Sequence, residues 1–261
     1  MAQDDIAMPT ILVTGASGAL GRALALHHAG PGIRLALWGR DETRLAAVAD
    51  ACRAKGARVV TRSLDLAAPD PALAALQQED AAGPVTLALL VAGMGDVRAP
   101  GARVEDPALV ARMIAVNFAT PAALATELAG RMAARGGGRI VLVGSAAAFH
   151  ALPFATAYAG SKAGLARFAD ALGTGVRHYG VQVMLVSPGF LDTGAVREVP
   201  APRRLLLPVE VAAARIARAA ERGTPHLVLP WPFRLLRSVD RLLPRRLRDR
   251  LLLALTPPDR R

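Results

Sequence analysis

Cysteine, lysine and aromatic residues are scarce in this sequence. Cys52 is its one cysteine, so no disulfide can form within the chain and we expect a reducing compartment. Because 4% of the residues are aromatic but 52% are hydrophobic, the core is expected to consist of alanine, leucine and valine. Among the 32 lysine and arginine residues only Lys55 and Lys162 are lysine, so each of the two lysines calls for an explanation.

Long hydrophobic runs and metal-binding patterns are also missing. No uninterrupted apolar run approaches the ~18 residues that cross a bilayer, so we expect no spanning segment. The N-terminal MAQDDIAMP is acidic and lacks the features of a secretion signal, which favours the cytoplasm. The histidines show no spacing typical of ligands, so no metal is expected; they are His27, His28, His150, His178 and His226.

Positive charge is concentrated near the C-terminus. The formal net charge is +11, and seven arginines lie between Arg234 and Arg250. Elsewhere the charges are scattered, and no basic stripe with interleaved aromatic residues is present, so we expect no nucleic-acid partner.

The C-terminal arginines alternate with hydrophobic residues at helical spacing, until Pro244 breaks the pattern before a second basic run. These hydrophobic residues are Phe233, Leu235, Leu236, Val239, Leu242 and Leu243. A basic amphipathic helix lies on an anionic membrane, or covers an apolar surface of its own domain or of a partner subunit. The sequence leaves these alternatives open.

Apolar runs alternate with segments of helical periodicity along most of the chain. The predicted strands are 10–15, 34–39, 57–66, 85–93, 138–145, 181–189 and 226–230. The predicted helices are 19–30, 41–56, 70–80, 106–135, 156–179 and 208–222. This alternation predicts an α/β fold, a doubly wound parallel sheet with helices on both faces. We expect one domain over residues 1–230 and a C-terminal amphipathic appendage over 231–261.

The first predicted strand runs into TGASGALG, which places Gly15, Gly18 and Gly21 before a helix. Glycines let the backbone turn tightly and approach a pyrophosphate, and a helix N-terminus favours its negative charge. The position on the first strand of a βαβ unit therefore indicates a dinucleotide site. The alternative is an ordinary glycine-rich turn between a strand and a helix.

The end of the second predicted strand bears on which dinucleotide would bind. An acidic residue there would bind the ribose 2′-hydroxyl of NAD, but the chain has Gly39 followed by Arg40. A guanidinium suits the 2′-phosphate of NADP, unless Arg40 is simply a solvent-facing charge. We interpret Asp41 as the N-cap of the next helix.

Tyr158 and Lys162 are spaced i, i+4 on a predicted helix, so their side chains share one face. A phenol with a pKa of about 10 is a poor proton carrier near neutrality, and a neighbouring cation lowers that pKa. A lysine ammonium is a compact charge that can also donate to a ribose hydroxyl, whereas the guanidinium of arginine is a planar fork. Tyr158 as a proton donor would therefore explain the lysine at position 162.

Two polar residues lie where they could assist such a donor. Ser145 ends the fifth predicted strand, beside the expected cofactor crevice, where its hydroxyl could polarise a carbonyl. Asn117 lies inside an otherwise apolar helix and must be hydrogen-bonded if buried. Its role is either to join two elements or to serve a proton relay, and the two do not exclude each other.

These motifs, in this order, resemble the short-chain dehydrogenase/reductase family of the single-domain type over roughly residues 8–230. The resemblance rests on TGASGALG, the AG pair at 92–93, Asn117, Ser145, YAGSK and SPGFLDT. It implies a Rossmann-type fold, Tyr158 as general acid/base, Lys162 as its tuner and ribose ligand, and Ser145 as the carbonyl polariser. Asn117 would hold a water in the proton relay.

The resemblance also implies a set of residues for an NADP(H) cofactor. Asp65 matches the position that meets the adenine, and the segment from Pro188 to Thr193 matches the one that holds the nicotinamide amide. The implied cofactor-binding residues are Gly15, Ser17, Gly18, Leu20, Gly21, Arg40, Asp65, Leu66, Ala92, Gly93, Asn117, Tyr158, Lys162, Pro188, Gly189, Leu191 and Thr193.

The sequence departs from the family pattern in two places. Ala19 stands where the glycine motif usually has glycine, with Gly18 one place earlier. Leu90 and Val91 replace two asparagines that are chiefly structural in the family, so the local architecture of the sheet is in question there.

The substrate end is apolar in sequence, which suggests a hydrophobic ketone or aldehyde such as a long-chain 3-keto compound. The apolar residues are Met94, Phe149, Leu152, Phe154, Phe190 and Leu191. A loop at 197–208 occupies the place of the family's variable lid, where Arg203 and Arg204 meet either an acidic head group or solvent. We expect an NADP(H)-dependent oxidoreductase, homo-oligomeric by analogy with the family; the alternative is a catalytically retired protein that binds a dinucleotide as a regulator or a membrane-surface scaffold.

Overall fold

Seven apolar runs form one parallel sheet. The computed structural model describes residues 8–95, 99, 101–193, 206–235, 242–254 and 256. The strands are β1 (Thr10–Thr14), β2 (Arg34–Gly39), β3 (Arg58–Ser63), β4 (Val85–Leu90), β5 (Gly138–Val143), β6 (Val181–Pro188) and β7 (His226–Leu229). Their order across the sheet is β3-β2-β1-β4-β5-β6-β7, and every pair is parallel.

Helices connect these strands, and one further helix follows β7. They are α1 (Ala19–His28), α2 (Glu42–Arg53), α3 (Pro69–Ala82), α4 (Pro107–Ile114), α5 (Thr120–Ala134), α6 (Thr156–Val176), α7 (Val209–Glu221) and α8 (Arg245–Ala254). A π-helical turn, Ala115–Ala119, joins α4 to α5, and short 3₁₀ turns span Ala146–Phe149 and Arg177–Tyr179. The carboxylate of Asp41 accepts from the backbone N–H of Arg44 at 2.9 Å, which confirms Asp41 as the N-cap of α2.

Each face of the sheet carries its own hydrophobic core. One cluster packs the sheet against α1, α2 and α7, and the other packs it against α3, α5 and α6. All five residues of β1 are buried, as expected for a central strand that is covered on both faces. The predicted doubly wound, Rossmann-type sheet is thereby confirmed, and its core consists mainly of alanine, leucine and valine.

Strand order determines where a ligand can bind. The chain runs outward from β1 through β2 to β3, then returns to the other side of β1 to form β4. At such a switch point the connections leave β1 and β4 in opposite directions and open a crevice at the carboxyl ends of the strands. Residues 15–21 follow β1 and residues 91–95 follow β4, so both segments line that crevice.

The end of β4 is held in place although Leu90 and Val91 replace the two asparagines of the family pattern. Leu90 is buried in the core, and the hydroxyl of Thr14 accepts from the backbone N–H groups of Val91 and Ala92 at 3.1 and 3.2 Å. The strand itself ends at Leu90, three residues earlier than predicted. Thr14 therefore holds the two strand ends together without an asparagine.

The segment Pro107–Ala134 is the one helical stretch, among the residues described, that is long and apolar enough to cross a membrane. Its most apolar window has a mean hydropathy of 1.5. The α5 part packs against α3, β4 and β5, and the π-helical turn packs against α6. This packing is typical of a core helix; the sequence analysis expected no spanning segment because no uninterrupted apolar run is long enough.

Candidate active site

The loop after β1 brings the backbone of two strand ends into contact. Gly15 has φ +68°, and a Cβ on it would lie 2.8 Å from Cα of Ala92. A Cβ on Gly21 would lie 2.2 Å from the carbonyl oxygen of Gly15. Side chains at these two positions would therefore collide with the backbone, and glycine is required for the close approach. Gly18 closes the turn by donating its N–H to the Gly15 carbonyl at 2.9 Å.

A cleft of 330 Å³ opens above this loop, at the switch point of the sheet. Ten of the predicted cofactor-binding residues line it: Gly15, Ser17, Gly18, Leu20, Gly21, Arg40, Asp65, Leu66, Ala92 and Gly93. The exposed backbone of the glycine loop and the N-terminus of α1 form its floor, which is the arrangement that binds a pyrophosphate. The residues present therefore fit a dinucleotide.

The rim of the cleft at the end of β2 is basic and has glycine where an acidic residue would bind a ribose 2′-hydroxyl. A Cβ on Gly39 would lie 2.7 Å from the Ser17 hydroxyl, so a side chain at this position would require the serine hydroxyl to turn away. Arg40 is exposed at this rim. Beside it, Arg44 donates from Nη2 and Nε to the carbonyl of Ser17, at 2.6 and 3.2 Å.

Asp65, which lines the cleft, is held by two hydrogen-bond partners. Its carboxylate accepts from Nη2 of Arg112 at 2.8 Å and from the backbone N–H of Ala67 at 3.0 Å. The hydrogen bond from Arg112 is the largest cause that lowers the pKa of Asp65 below its ordinary value. The carboxylate is therefore fixed and charged at neutral pH.

Lys162 is buried on the inner face of α6, where a lysine is rare. Its Nζ donates to the carbonyl oxygen of Val143 at 3.0 Å, and a Cβ on Gly93 would lie 3.1 Å from that nitrogen. Burial lowers the pKa of Lys162 to about 8. The narrow gap between β5 and Gly93 accommodates a compact ammonium, which is a structural reason for lysine at this position.

Tyr158 and Ser145 are brought together at the edge of the crevice. Ser145 is buried directly after β5; its hydroxyl accepts from the backbone N–H of Ala147 at 3.1 Å and hydrogen-bonds the Tyr158 side chain. The Ala147 N–H fixes the position of the Ser145 oxygen, and the hydroxyl proton of Ser145 remains available for donation.

The predicted direction of the Tyr158 pKa was wrong for this arrangement. Burial raises the pKa of Tyr158 above its ordinary value, and the hydrogen bond from Ser145 opposes that rise without reversing it. Lys162 makes its hydrogen bond to Val143 and is not among the groups that shift the tyrosine. Desolvation, which the sequence does not reveal, outweighs the expected effect of the i, i+4 cation.

Asn117 joins two elements, as one of its two predicted roles required. Its side-chain amide exchanges a pair of hydrogen bonds with the backbone of Met94, at 2.8 and 2.9 Å, and also donates to the Ser161 hydroxyl at 3.2 Å. Ser161 in turn donates to the Tyr158 carbonyl at 2.9 Å. The amide lies in the π-helical turn, so the segment after β4 is tied to the first turns of α6.

The segment after β6 lies beside the end of β5. Pro188 ends β6, and Gly144 donates to the carbonyl of Val186 on that strand at 2.7 Å. This pairing places the start of the predicted nicotinamide segment next to Ser145. The segment continues through Gly189, Leu191 and Thr193, up to the last described residue before 206.

An aromatic side chain from beyond the sheet covers this segment. A Cβ on Gly189 would lie 2.4 Å from the ring of Phe233, and the rings of Phe233 and Phe190 meet edge to face with centroids 6.0 Å apart. Phe233 is buried against Ala146 and Val228 as well. The first residues of the C-terminal segment thus pack on the protein's own domain, one of the alternatives that the sequence left open.

Three contributing residues were missed from the sequence. Arg44 holds the glycine loop, and Arg112 holds Asp65. The carboxylate of Glu105 accepts hydrogen bonds from Thr156 Oγ1 and from the Ala157 N–H, at 2.5 and 2.8 Å. Glu105 thereby fixes the start of α6. Each partner is more than 25 residues away in sequence, so no local motif could reveal these contacts.

Some sequence expectations fall on other parts of the chain. No cluster of three potential metal ligands occurs within the described ranges. The lid residues Arg203 and Arg204 lie outside the described residues, as do Leu236, Arg237, Val239 and Arg241.

Comparisons with known proteins identify the family of this chain. The model of the short chain dehydrogenase family matches residues 9–204. An uncharacterized oxidoreductase of Myxococcus xanthus is 32% identical over 245 residues, which cover 92% of this chain and 94% of that protein.

Solved structures share the fold. A short-chain dehydrogenase from Sphingobium yanoikuyae in complex with NADPH superposes with a TM-score of 0.78 at 24% identity, covering 89% of this chain and 93% of the other. A bulky-bulky ketone specific alcohol dehydrogenase from Comamonas testosteroni gives a TM-score of 0.76 at 24% identity, covering 96% and 95% of the two chains. A xylitol dehydrogenase bound to NAD+ gives 0.76 at 19% identity, covering 87% and 99%.

The family model covers most of the chain, and the similarity to the Myxococcus oxidoreductase extends over nearly its whole length. This chain therefore belongs to the short-chain dehydrogenase family of oxidoreductases.

Proposed function

We propose that the protein is an NADP(H)-dependent carbonyl reductase that uses Tyr158 as its general acid. The observation that carries the proposal is the contact between Tyr158 and Ser145 at the mouth of a crevice whose other half fits a dinucleotide. When bound, the nicotinamide would supply the hydride in reduction and accept it in oxidation of the matching alcohol.

The preference for NADP(H) is supported by the rim of the cleft. Gly39 stands in place of the acidic residue that would bind a ribose 2′-hydroxyl, and Arg40 and Arg44 line the same corner. Arginine binds phosphate through several N–H groups at once, so a 2′-phosphate at this corner would be stabilised and an unphosphorylated ribose would not.

Each catalytic side chain has a distinct part. The raised pKa of Tyr158 keeps its phenol protonated at neutral pH, so it can donate a proton to the substrate oxygen. The Ser145 hydroxyl, already oriented by Ala147, would donate a hydrogen bond to the same oxygen. Lys162 would hold the ribose hydroxyls, and Asn117 would hold a water that returns a proton toward the lysine.

The substrate is proposed to be a hydrophobic ketone or aldehyde, such as a long-chain 3-keto compound. Phe149, Phe190 and Phe233 form an apolar cluster next to Ser145 and the segment after β6. This packing also supports a single catalytic domain over residues 1–230, with residues 231–261 as an appendage to it. We place the protein in the cytoplasm, as a homo-oligomer by family analogy, with the appendage available for contact with the inner membrane surface.

The test is oxidation of NADPH and of NADH by the purified protein against ketones and aldehydes of increasing chain length, 3-keto compounds included. We expect NADPH to be preferred by tenfold or more, on the order of the 1.4 kcal/mol that a charge-assisted bond contributes, and kcat/KM to rise with chain length. A preference for NADH would overturn the cofactor assignment. Tight NADPH binding without turnover of any substrate would favour the retired dinucleotide-binding protein.

A matched pair of variants sharpens the cofactor assignment. Arg40→Gln is expected to lower kcat/KM for NADPH and to leave that for NADH unchanged, because it removes a charge near the 2′-phosphate. Arg58→Gln removes the same charge from the exposed start of β3 and should change neither value. Equal effects of the two variants would mean that only the overall charge of the protein matters.

A further inference from the structure

Exposed hydrophobic side chains are concentrated in the C-terminal segment. Eleven large hydrophobic residues are exposed among those described, and six of them follow residue 230: Trp231, Leu235, Leu242, Leu247, Leu251 and Leu253. Trp231 is 66% exposed and Leu242 83%. Single exposed apolar residues are common on protein surfaces, but a concentration of this kind indicates an interaction site.

The two sides of α8 differ sharply. Its inner side carries Leu252, which is buried, and the buried Thr256 follows the helix on the same side. Its outer side carries Leu247 and Leu251 one turn apart. Arg246 and Arg250 form a parallel row, each one residue before a leucine, and both are exposed. The exposed face of α8, the leucine–arginine face, is therefore apolar along one edge and basic along the next.

The charge on this face is not neutralised by any residue that the structure describes. Asp249 is the one acidic residue of α8, and it pairs with Arg245 and Arg248, at 3.5 and 3.6 Å. Within the described ranges Arg246 and Arg250 make no ion pair, although they stand one turn apart, where like charges destabilise a helix. The whole segment 231–261 has nine arginines and three aspartates, a net charge of +6 out of the +11 of the chain.

The occupant of such a face must be apolar and negatively charged at once. A second copy of the chain in a two-fold contact would bring the same face against itself and would oppose arginine rows to arginine rows. A nucleic acid would meet the arginines but would leave the leucines exposed to water. The surface of an anionic bilayer satisfies both, because leucines enter the acyl boundary while arginines meet the headgroup phosphates.

We propose that the leucine–arginine face of α8, together with Trp231 and Leu235, binds the surface of an anionic lipid bilayer. Tryptophan favours the interface between headgroups and acyl chains. Phe233 of the C-terminal segment packs on Gly189 and Phe190, at the proposed substrate end of the crevice. The inference extends the proposed function, since it places the substrate end of a reductase for hydrophobic carbonyls close to a membrane.

The test is sedimentation of the full-length protein with vesicles of pure phosphatidylcholine and with vesicles in which a third of the lipid is phosphatidylglycerol. Three paired variants are compared: R246Q/R250Q, L247S/L251S, and R58Q/R222Q, which removes two exposed charges elsewhere. NADPH binding by each variant verifies folding. Vesicle binding requires no turnover, so it can succeed or fail independently of the proposed activity.

We expect the wild type and R58Q/R222Q to bind the phosphatidylglycerol vesicles and not the neutral ones. Each of the other two pairs should weaken that binding by more than about tenfold, since an arginine near an anionic surface contributes about 1 kcal/mol and a buried leucine more than that. Equal binding to both vesicles, no binding, or loss with the arginine pair alone would overturn the proposal. A shift of L247S/L251S to a smaller oligomer with unchanged vesicle binding would assign the face to contact between copies.

Discussion

The nucleotide half and the substrate half of the crevice are built in different ways. The nucleotide half follows β1, β2, β3 and β4, and its lining comes from short segments that begin where each strand ends. The substrate half follows β5 and β6 and is completed by Phe233, which lies more than 40 residues beyond Gly189. One half is therefore encoded locally in motifs, and the other is assembled from distant parts of the chain.

This difference has a functional consequence. A cofactor shared by a whole family is recognised by backbone geometry, so the nucleotide half is constrained to glycine at positions such as Gly15 and Gly21. The substrate half is lined by side chains whose size can change without disturbing the sheet. Tyr158 and Lys162 lie on one face of α6, between the two halves of the crevice.

A large separation between the halves is expected from Ser145→Ala. Loss of one preoriented donor to the substrate oxygen should lower kcat about 100-fold to 1,000-fold and leave the Kd for NADPH unchanged. Steady-state rates and NADPH fluorescence titration measure the two quantities. The control is Ser187→Ala, which removes a buried hydroxyl on the neighbouring strand that bonds His226 at 2.9 Å. Equal loss of kcat in both variants would remove Ser145 from the chemistry.

Gly15→Val addresses the nucleotide half. The new side chain would meet the Ala92 backbone and force a positive φ on a β-branched residue, so the Kd for NADPH should rise about 100-fold. Gly130→Ala is the control, because Gly130 has open space around it and no positive φ. Thermal melts separate lost binding from lost folding, and unchanged affinity in a folded Gly15→Val protein would contradict the close approach.

Phe233→Leu addresses the substrate half. A smaller, flexible side chain over Gly189 should raise the KM for a bulky carbonyl about tenfold, whereas NADPH affinity should stay within twofold of wild type. Initial rates against a short and a long ketone measure the effect. Leu235→Ala changes an exposed neighbour and should be neutral. A larger effect on NADPH than on the ketone would mean that Phe233 supports the cofactor instead.

A smaller effect on NADPH affinity is expected when the pH is raised, because Lys162 lies between the two halves of the crevice. Burial lowers the pKa of Lys162 to about 8, so its positive charge is present below that pH and is lost as pH rises through it. If the ammonium holds the ribose, NADPH affinity should be constant up to about pH 7 and weaken a few-fold by about pH 9. Lys162→Met should bind weakly with a flat profile over the same range, and a flat wild-type profile would contradict the assignment.

The sequence predicted much of the fold because its signals are local. Period and length placed all seven strands, with ends that differ by up to three residues, and Asp41 was recognised as a cap. Contacts between residues that are far apart in sequence were not predictable. Arg44, Arg112 and Glu105 each act on a residue far away in sequence, and nothing in their neighbours distinguishes them from ordinary surface charges.

The catalytic side chains show the same limit. Their identities and spacing were readable, and the structure brings Ser145 to Tyr158 as expected. The pKa of Tyr158 was predicted in the wrong direction, because spacing shows which groups are neighbours but not how much water surrounds them. Asn117 was placed correctly inside a helix, yet its pairing with Met94 and the π-helical turn depend on the packed structure.

We propose that Tyr158 performs chemistry on a substrate while the nucleotide half binds NADPH independently of it. The most direct measurement is Tyr158→Phe, with NADPH affinity and NADPH oxidation measured on the same preparation. The phenylalanine keeps the ring and removes the proton, so the Kd should be unchanged and kcat should fall about 100-fold to 10,000-fold. Turnover near the wild-type rate with intact NADPH binding would contradict the proposed role of Tyr158 as the proton donor.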